Sequence, residues 1–193
     1  MVERDTPPFP APATGVLHTL LEKTLFRVDV LTLEVRVDSV TAGRLRSLAQ
    51  DPDFRSKSLN DTLAKTVIEA PRAWVRMEFH RSVSQGRFFS GILDNLEKAE
   101  KAGIITALHR ARVAGELPHW YDFLARRGVR SGDVLVYSIH ADSLETTYHG
   151  VEGTVLFDFS QKDPEARYGV LGSYLAPESD FREGLLRSLL PRP

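Results

Sequence analysis

The run Lys23–Asp38 limits what this chain can become more than any other part of it. Phe26, Val28 and Val30 alternate with Arg27 and Asp29, and then the phase flips. From there Leu31, Leu33, Val35 and Val37 alternate with Thr32, Glu34, Arg36 and Asp38. Side chains along a strand point to opposite faces with a period of two, so a slip of phase moves burial to the other face. The run predicts one long strand with either a bulge near Val30–Leu31 or a covering layer that changes side. From Leu25 to Asp38 it would extend roughly 45 Å at ~3.3 Å per residue, too long for a twisted strand to stay straight.

The flanking sequence supplies the other layers. Gly15–Leu21 alternates weakly and predicts a strand leading into the long one. Capping chemistry at Ser39–Ala42, with Leu45 and Leu48 behind it, predicts a short helix. Asp51–Asp53 is a turn, and Asn60 caps a helix that aligns Leu63 with Val67 and is closed by Pro71. Ala73–Phe79 is a second strand, with Ala73, Val75, Met77 and Phe79 on one side. Ser82–Gln85 has the form of a capping box for a helix whose stripe is Phe88, Phe89, Ile92, Leu93 and Leu96, stopped by Gly103. Residues Ile104–Gly128 should be mostly helical, broken near Gly115–Pro118, with Trp120, Phe123 and Leu124 inward. Strands follow at Val134–Ile139, Thr146–Tyr148 and Thr154–Phe159, with Gly150 and Gly153 shaping a hairpin, and helices close the chain at Asp163–Leu175 and Glu178–Leu190. This order predicts an α+β protein, an antiparallel sheet with helices gathered on one face.

Composition narrows the function classes. A chain of 193 residues with 42% hydrophobic content suits one domain over 15–193, behind a flexible Pro-rich arm at 1–14. A net charge of −1 provides no basic field for nucleic acid or for an anionic membrane. The absence of cysteine removes disulfides, thiolate nucleophiles and iron–sulfur ligation. The first residues have no apolar core of a secretory signal, and no apolar run approaches the ~20 residues of a membrane span, so a cytoplasmic protein is expected. None of the six histidines falls in an H-x-x-x-H or H-E-x-x-H pattern, which argues against a metal site, and no cofactor is expected. His80 and His140, near Glu78 and Asp142, would make an acid–base pair only if the fold joins them. Asp133 reads as a turn residue that starts a strand.

Three blocks, in order, resemble the chalcone isomerase family, in its bacterial-type, non-catalytic branch. The first is Lys23-Thr24-x-Phe26-x-Val28-x-Val30-Leu31 running on to Val35-x-Val37-Asp38. The second is Phe79-x-Arg81-x-Val83 before the helix that holds Asp94-Asn95. The third runs from Gly132-Asp133 through Gly150 to Leu171–Leu175 and Leu185-Leu186. The resemblance implies an open-faced β-sandwich, a large antiparallel sheet with a layer of helices on one face.

The departures bear on function. Where the family's enzymes and fatty-acid-binding members carry an arginine two positions before the lysine, this chain has Leu21. Their strand hydroxyl falls on Leu31, their helix tyrosine on Phe88, their asparagine on Asn95, and their late serine or threonine on Ser173. In the enzymes a phenolate attacks an enone while charge builds on the ketone oxygen, and losing one stabilising donor typically costs ~10²–10³ in rate. Leucine offers neither charge nor hydrogen bond, so flavonoid cyclisation is not expected. The pair that grips a carboxylate in fatty-acid-binding relatives is missing too. Arg87, one residue before Phe88, offers a displaced cation. The resemblance therefore implies a cleft lined by Leu21, Leu31, Phe88, Asn95, Ser173 and Arg87 that binds a small, largely apolar, lipid- or fatty-acid-like ligand without catalysis. Two alternatives stay open: an intramolecular lyase or isomerase on another substrate, and a pocketless interaction module.

Overall fold

The computed structural model describes residues 13–22, 29–50 and 56–189. Among these residues six strands form one antiparallel sheet, each strand hydrogen-bonded to its neighbour in sequence. They are β1 (Ala13–Glu22), β2 (Asp29–Asp38), β3 (Ala73–Phe79), β4 (Val134–Ile139), β5 (Ser143–His149) and β6 (Val155–Lys162). Seven helices accompany them: α1 (Ser39–Ala49), α2 (Lys57–Ile68), α3 (Gln85–Lys101), α4 (Ala107–Trp120), α5 (Leu124–Arg127), α6 (Ala166–Leu175) and α7 (Arg182–Arg187). The α+β, open-faced architecture expected from the sequence is the one observed.

Register explains which face is covered. One row across the sheet reads Leu17, Val35, Val75, Tyr137, Thr146 and Phe159, and the next reads Thr19, Leu33, Met77, Leu135, Tyr148 and Phe157. Residues directly opposite in a ladder share a face, so these rows form one largely apolar surface. The helices lie against it: α1 and α7 pack on β1, and α6 packs on α2, α3, α7 and β5. The opposite face carries Glu34, Arg36, Arg76 and Glu78, paired along their strands as Arg36–Glu34 and Arg76–Glu78 at 2.8 Å each.

The phase slip in the long strand is a bulge. Leu21 pairs with Leu31 but Glu22 pairs with Asp29, which leaves Val30 as the extra residue on β2. Its carbonyl still accepts from the His80 amide at 2.9 Å, so the other edge of β2 stays bonded through the irregularity. Lys23–Val28, the first half of the sequence feature, lies outside the described residues, as do Asp51–Asp53 and residues 1–12 of the Pro-rich arm. Strand β1 opens at Ala13, so Ala13 and Thr14 belong to the sheet.

Several boundaries differ from the sequence expectation. The α1 cap is Asp38, whose carboxylate accepts from the Val40 and Thr41 amides, and the α2 cap is Ser56 in place of Asn60. Helix α3 is capped by Ser84, while Gln85 donates across to the Tyr121 carbonyl at 3.0 Å instead of closing a box with Ser82. Helix α4 is unbroken through Gly115–Pro118 and ends two residues after Pro118, at Trp120. Strand β5 is longer than Thr146–Tyr148, and α6 and α7 are shorter than the two closing helices expected.

Candidate functional site

Helix α3 packs mainly on α4 and α6 and stands off the strands. Aromatic side chains bridge the gap. The Phe88 ring meets Phe79 on the sheet edge-on at 5.9 Å, and Tyr121 at 5.3 Å. Beside this bridge a cavity of about 550 Å³ remains between the sheet and the helices. Its floor includes Leu31, Met77, Leu135 and Tyr137, with Phe157 and Phe159 on the β6 side. Its roof comes from α3, α4 and α6 through residues such as Ile92, Val113 and Val170. The volume lies within the usual span for small-molecule sites, which are apolar clefts with a few fixed polar groups.

Five of the six residues predicted from the sequence line this one cavity: Leu31, Arg87, Phe88, Asn95 and Ser173. Leu21 lies opposite Leu31 in the β1–β2 ladder. Their settings differ. Leu31 and Phe88 are each 7% exposed and form wall and bridge. Ser173 is buried, and its hydroxyl donates to the Val170 carbonyl at 2.8 Å, within its own helix. Asn95 is half-buried, and Arg87 is exposed at the rim.

Sequence reasoning missed the polar groups at the inner wall. Tyr121, Tyr137, Tyr174 and Thr146 all line the cavity and all are buried. The Tyr121 and Tyr137 hydroxyls are 3.3 Å apart. Burial pushes the Tyr137 phenol up to about 12, and raises those of Tyr121 and Tyr174 well above the ordinary tyrosine value. Tyr137 and Thr146 interrupt apolar alternation on their strands, a signal present in the sequence; nothing local indicates that they meet Tyr121.

A second cluster stands where α4 meets α6. His109 is 4% exposed, and its Nδ1 lies 3.1 Å from Glu165 Oε2 and 3.2 Å from Arg112 Nη2. Arg112 also donates to Asp163 at 2.6 Å. His109, Val113 and Leu117 recur every four residues and all line the cavity, so this histidine occupies the apolar stripe of α4. Nδ1 either donates to Glu165 or accepts from Arg112, according to the tautomer, and Nε2 lies against Gly169 of α6. The fold does not bring His80 and His140 together. Ala73 pairs with Ile139 and Glu78 with Val134, which puts those histidines at opposite ends of β3 and β4. His80 instead meets the Thr32 hydroxyl at 2.6 Å.

Asp133 also departs from its expected role as a simple turn residue. It is fully buried and accepts from Arg127, the Arg130 amide and the Tyr148 hydroxyl. The cluster braces the start of β4.

A six-stranded open-faced sheet, a helical layer on one face and a cavity between them define a chalcone isomerase-like fold. A crystal structure of a fatty-acid binding protein from Arabidopsis thaliana shares it, with a TM-score of 0.58 over 92% of this chain and 86% of that one. Identity between the two is 13%, so the likeness speaks for the fold and does not single out a bacterial-type branch. The sequence matches no family model and no curated protein. Among the described residues no helix is long and apolar enough to cross a membrane.

Proposed function

We propose that this protein binds a small, largely apolar ligand of lipid type in the cavity between sheet and helices, without performing flavonoid cyclisation. The observation that carries this reading is the cavity itself, about 550 Å³ and walled by leucine, valine and aromatic side chains. Leu31 and Phe88 stand where the family's enzymes hold hydroxyls, and the likeness to a fatty-acid binding protein supports an apolar guest. The same cavity speaks against the pocketless alternative.

Native mass spectrometry against a panel of lipids and flavonoids tests the proposal. Val113 is half-buried on α4 and lines the cavity, so Val113→Trp should fill the space and abolish adducts while leaving the melting temperature unchanged. Absence of adducts with the wild-type chain, or adducts that survive Val113→Trp, would count against it.

The His109–Glu165 pair favours a second reading, an isomerase or lyase that moves a proton within a bound substrate. Chalcone cyclisation followed by absorbance examines its simplest form, and a rate equal to that of buffer removes it.

A further inference from the structure

The two edges of the sheet differ. Strand β1 forms one edge, and α1 and α7 pack on it. Strand β6 forms the other, and the helical layer reaches it through aromatic contacts on one face, Trp120 with Phe159 and Tyr121 with Phe157. No strand pairs with the outer side of β6 among the described residues. From Phe157 to Lys162 its side chains alternate between half-buried and exposed, and at its start Val155 is 54% exposed. The strand contains no proline. Such an edge presents a row of backbone donors and acceptors to any extended segment that fits it.

The ladder fixes which groups face outward. The Asp163 amide donates to the Asp142 carbonyl at 2.8 Å, one step beyond the Ser143–Lys162 pair. Hydrogen-bonded pairs recur at every second residue of an antiparallel ladder, so Phe157, Phe159 and Gln161 bond to β5. Asp158, Ser160 and Lys162 therefore turn their amides and carbonyls outward. Phe157, Phe159 and Gln161 line the cavity, so the side chains of Asp158, Ser160 and Lys162 lie on the other face, where all three are exposed. The Asp158 carboxylate accepts from the Thr147 hydroxyl at 3.4 Å, and neither Asp158 nor Lys162 has an ion partner among the described residues. These two opposite charges stand symmetrically about Ser160.

We propose that β6 is an interface for a second copy of this chain, paired antiparallel about a twofold axis at Ser160, so that two sheets join into one. Ser160 then faces Ser160, and Asp158 of each copy faces Lys162 of the other. Each facing pair joins residues whose backbone groups already point outward, so each exchanges two hydrogen bonds. Opposite charges directly across a ladder attract, and the symmetry of the axis supplies that attraction twice. Other registers lose it. An axis at Asp158 opposes like charges, and one at Phe159 sets Asp158 against Ser160 and Lys162 against Leu156. An axis at Gln161 sets Asp158 against Pro164, which has no N–H to donate. The pairing does not depend on what the cavity holds.

Sedimentation equilibrium of the full chain at neutral pH tests the proposal. The wild type should pass from monomer to dimer at roughly 10–100 µM, as suits a small interface, and should associate more weakly as salt is raised. Asp158→Lys and Lys162→Asp each turn two attractive pairs into two repulsive ones, and each should weaken association about tenfold or more. An equimolar mixture of the two variants should associate like the wild type, because every charge again meets its opposite across the axis. Both changes in one chain should restore association in the same way. Both positions are exposed, so thermal melts by circular dichroism should match the wild type. A wild type still monomeric at about 500 µM, or association that continues beyond the dimer, would overturn the proposal. So would a dimer indifferent to both single changes, or single variants whose mixture stays monomeric.

Discussion

Arg127 meets Asp133 through two parallel hydrogen bonds, Nη1 to Oδ2 at 2.8 Å and Nη2 to Oδ1 at 2.9 Å. The Arg130 amide and the Tyr148 hydroxyl each reach Oδ2 at 2.8 Å as well. Hydrogen bonding to Asp133 holds the Arg127 guanidinium above its ordinary acidity range and ties the end of α5 to the start of β4.

Removing the cation leaves a fully buried carboxylate uncompensated. Arg127→Met should cost about 3 kcal/mol in urea unfolding. Arg127→Met with Asp133→Leu should cost less than the two single changes together, because neither charge is then stranded. A single-variant cost well under 1 kcal/mol would mean that the amide and the phenol suffice for Asp133.

The helical glycines divide into two kinds. Gly91 in α3 and Gly115 in α4 have nothing within 4 Å of an added Cβ, so alanine at either should stabilise by about 0.5–1 kcal/mol. At Gly169 in α6 an added Cβ would lie 2.6 Å from Nε2 of His109. Gly169→Ala should destabilise by about 1–3 kcal/mol, since that ring is buried. Thermal melts of the three variants read the signs directly, and a stabilised Gly169→Ala would show that α6 is free to move off α4.

Asp38 sets an acid limit on α1. Partial burial opposes its ionisation, but hydrogen bonds from the Thr41 amide and hydroxyl and the Val40 amide outweigh this and hold its carboxyl below the ordinary 3.8. A depressed folded pKa adds stability that is complete above the unfolded value and is lost as pH falls through the folded one. Asp38→Ala should therefore cost about 1 kcal/mol at neutral pH. Its deficit against the wild type should narrow as pH drops below 3.8, and a deficit independent of pH would assign the loss to packing.

At the alkaline end the tyrosines act in the opposite sense. Burial raises Tyr121, Tyr137 and Tyr174, and burial together with the hydrogen bond to Asp133 raises Tyr148. Groups with raised folded values add stability that is present below their unfolded pKa near 10 and is lost as pH climbs past it, for Tyr137 through about 12. Phenolate absorbance from these four residues should appear together with loss of circular dichroism. Their full ionisation before any change in dichroism would show that water reaches the cavity wall freely.

Much of the scaffold was legible along the chain. The bounds of β3 and β4 follow from alternation and turn chemistry, while the broken alternation at Val30–Leu31 allowed either a bulge or a change of covered face, and the register shows the bulge. Caps were less legible. Ser82 and Ser84 are chemically equivalent candidates, and the choice rests on where the backbone first turns helical, with Ser82 drawn instead to accept from the Ser131 amide at 3.4 Å. His80 and His140 looked alike in sequence, yet antiparallel register sends them to opposite ends of one strand pair.

The sequence by itself determined which face of each strand and helix is apolar, because that depends on a period of two or 3.6 and on nothing distant. Leu31, Phe88, Asn95 and Ser173 were singled out by the resemblance to the chalcone isomerase family, not by periodicity, and all four line one cavity. Only the tertiary structure decided that the cavity stays open, and that Tyr121, Tyr137, Tyr174 and Thr146 share its wall. The height of α3 above the sheet is set by the Phe88 ring wedged between Phe79 and Tyr121, a contact among three separate elements that no local pattern encodes.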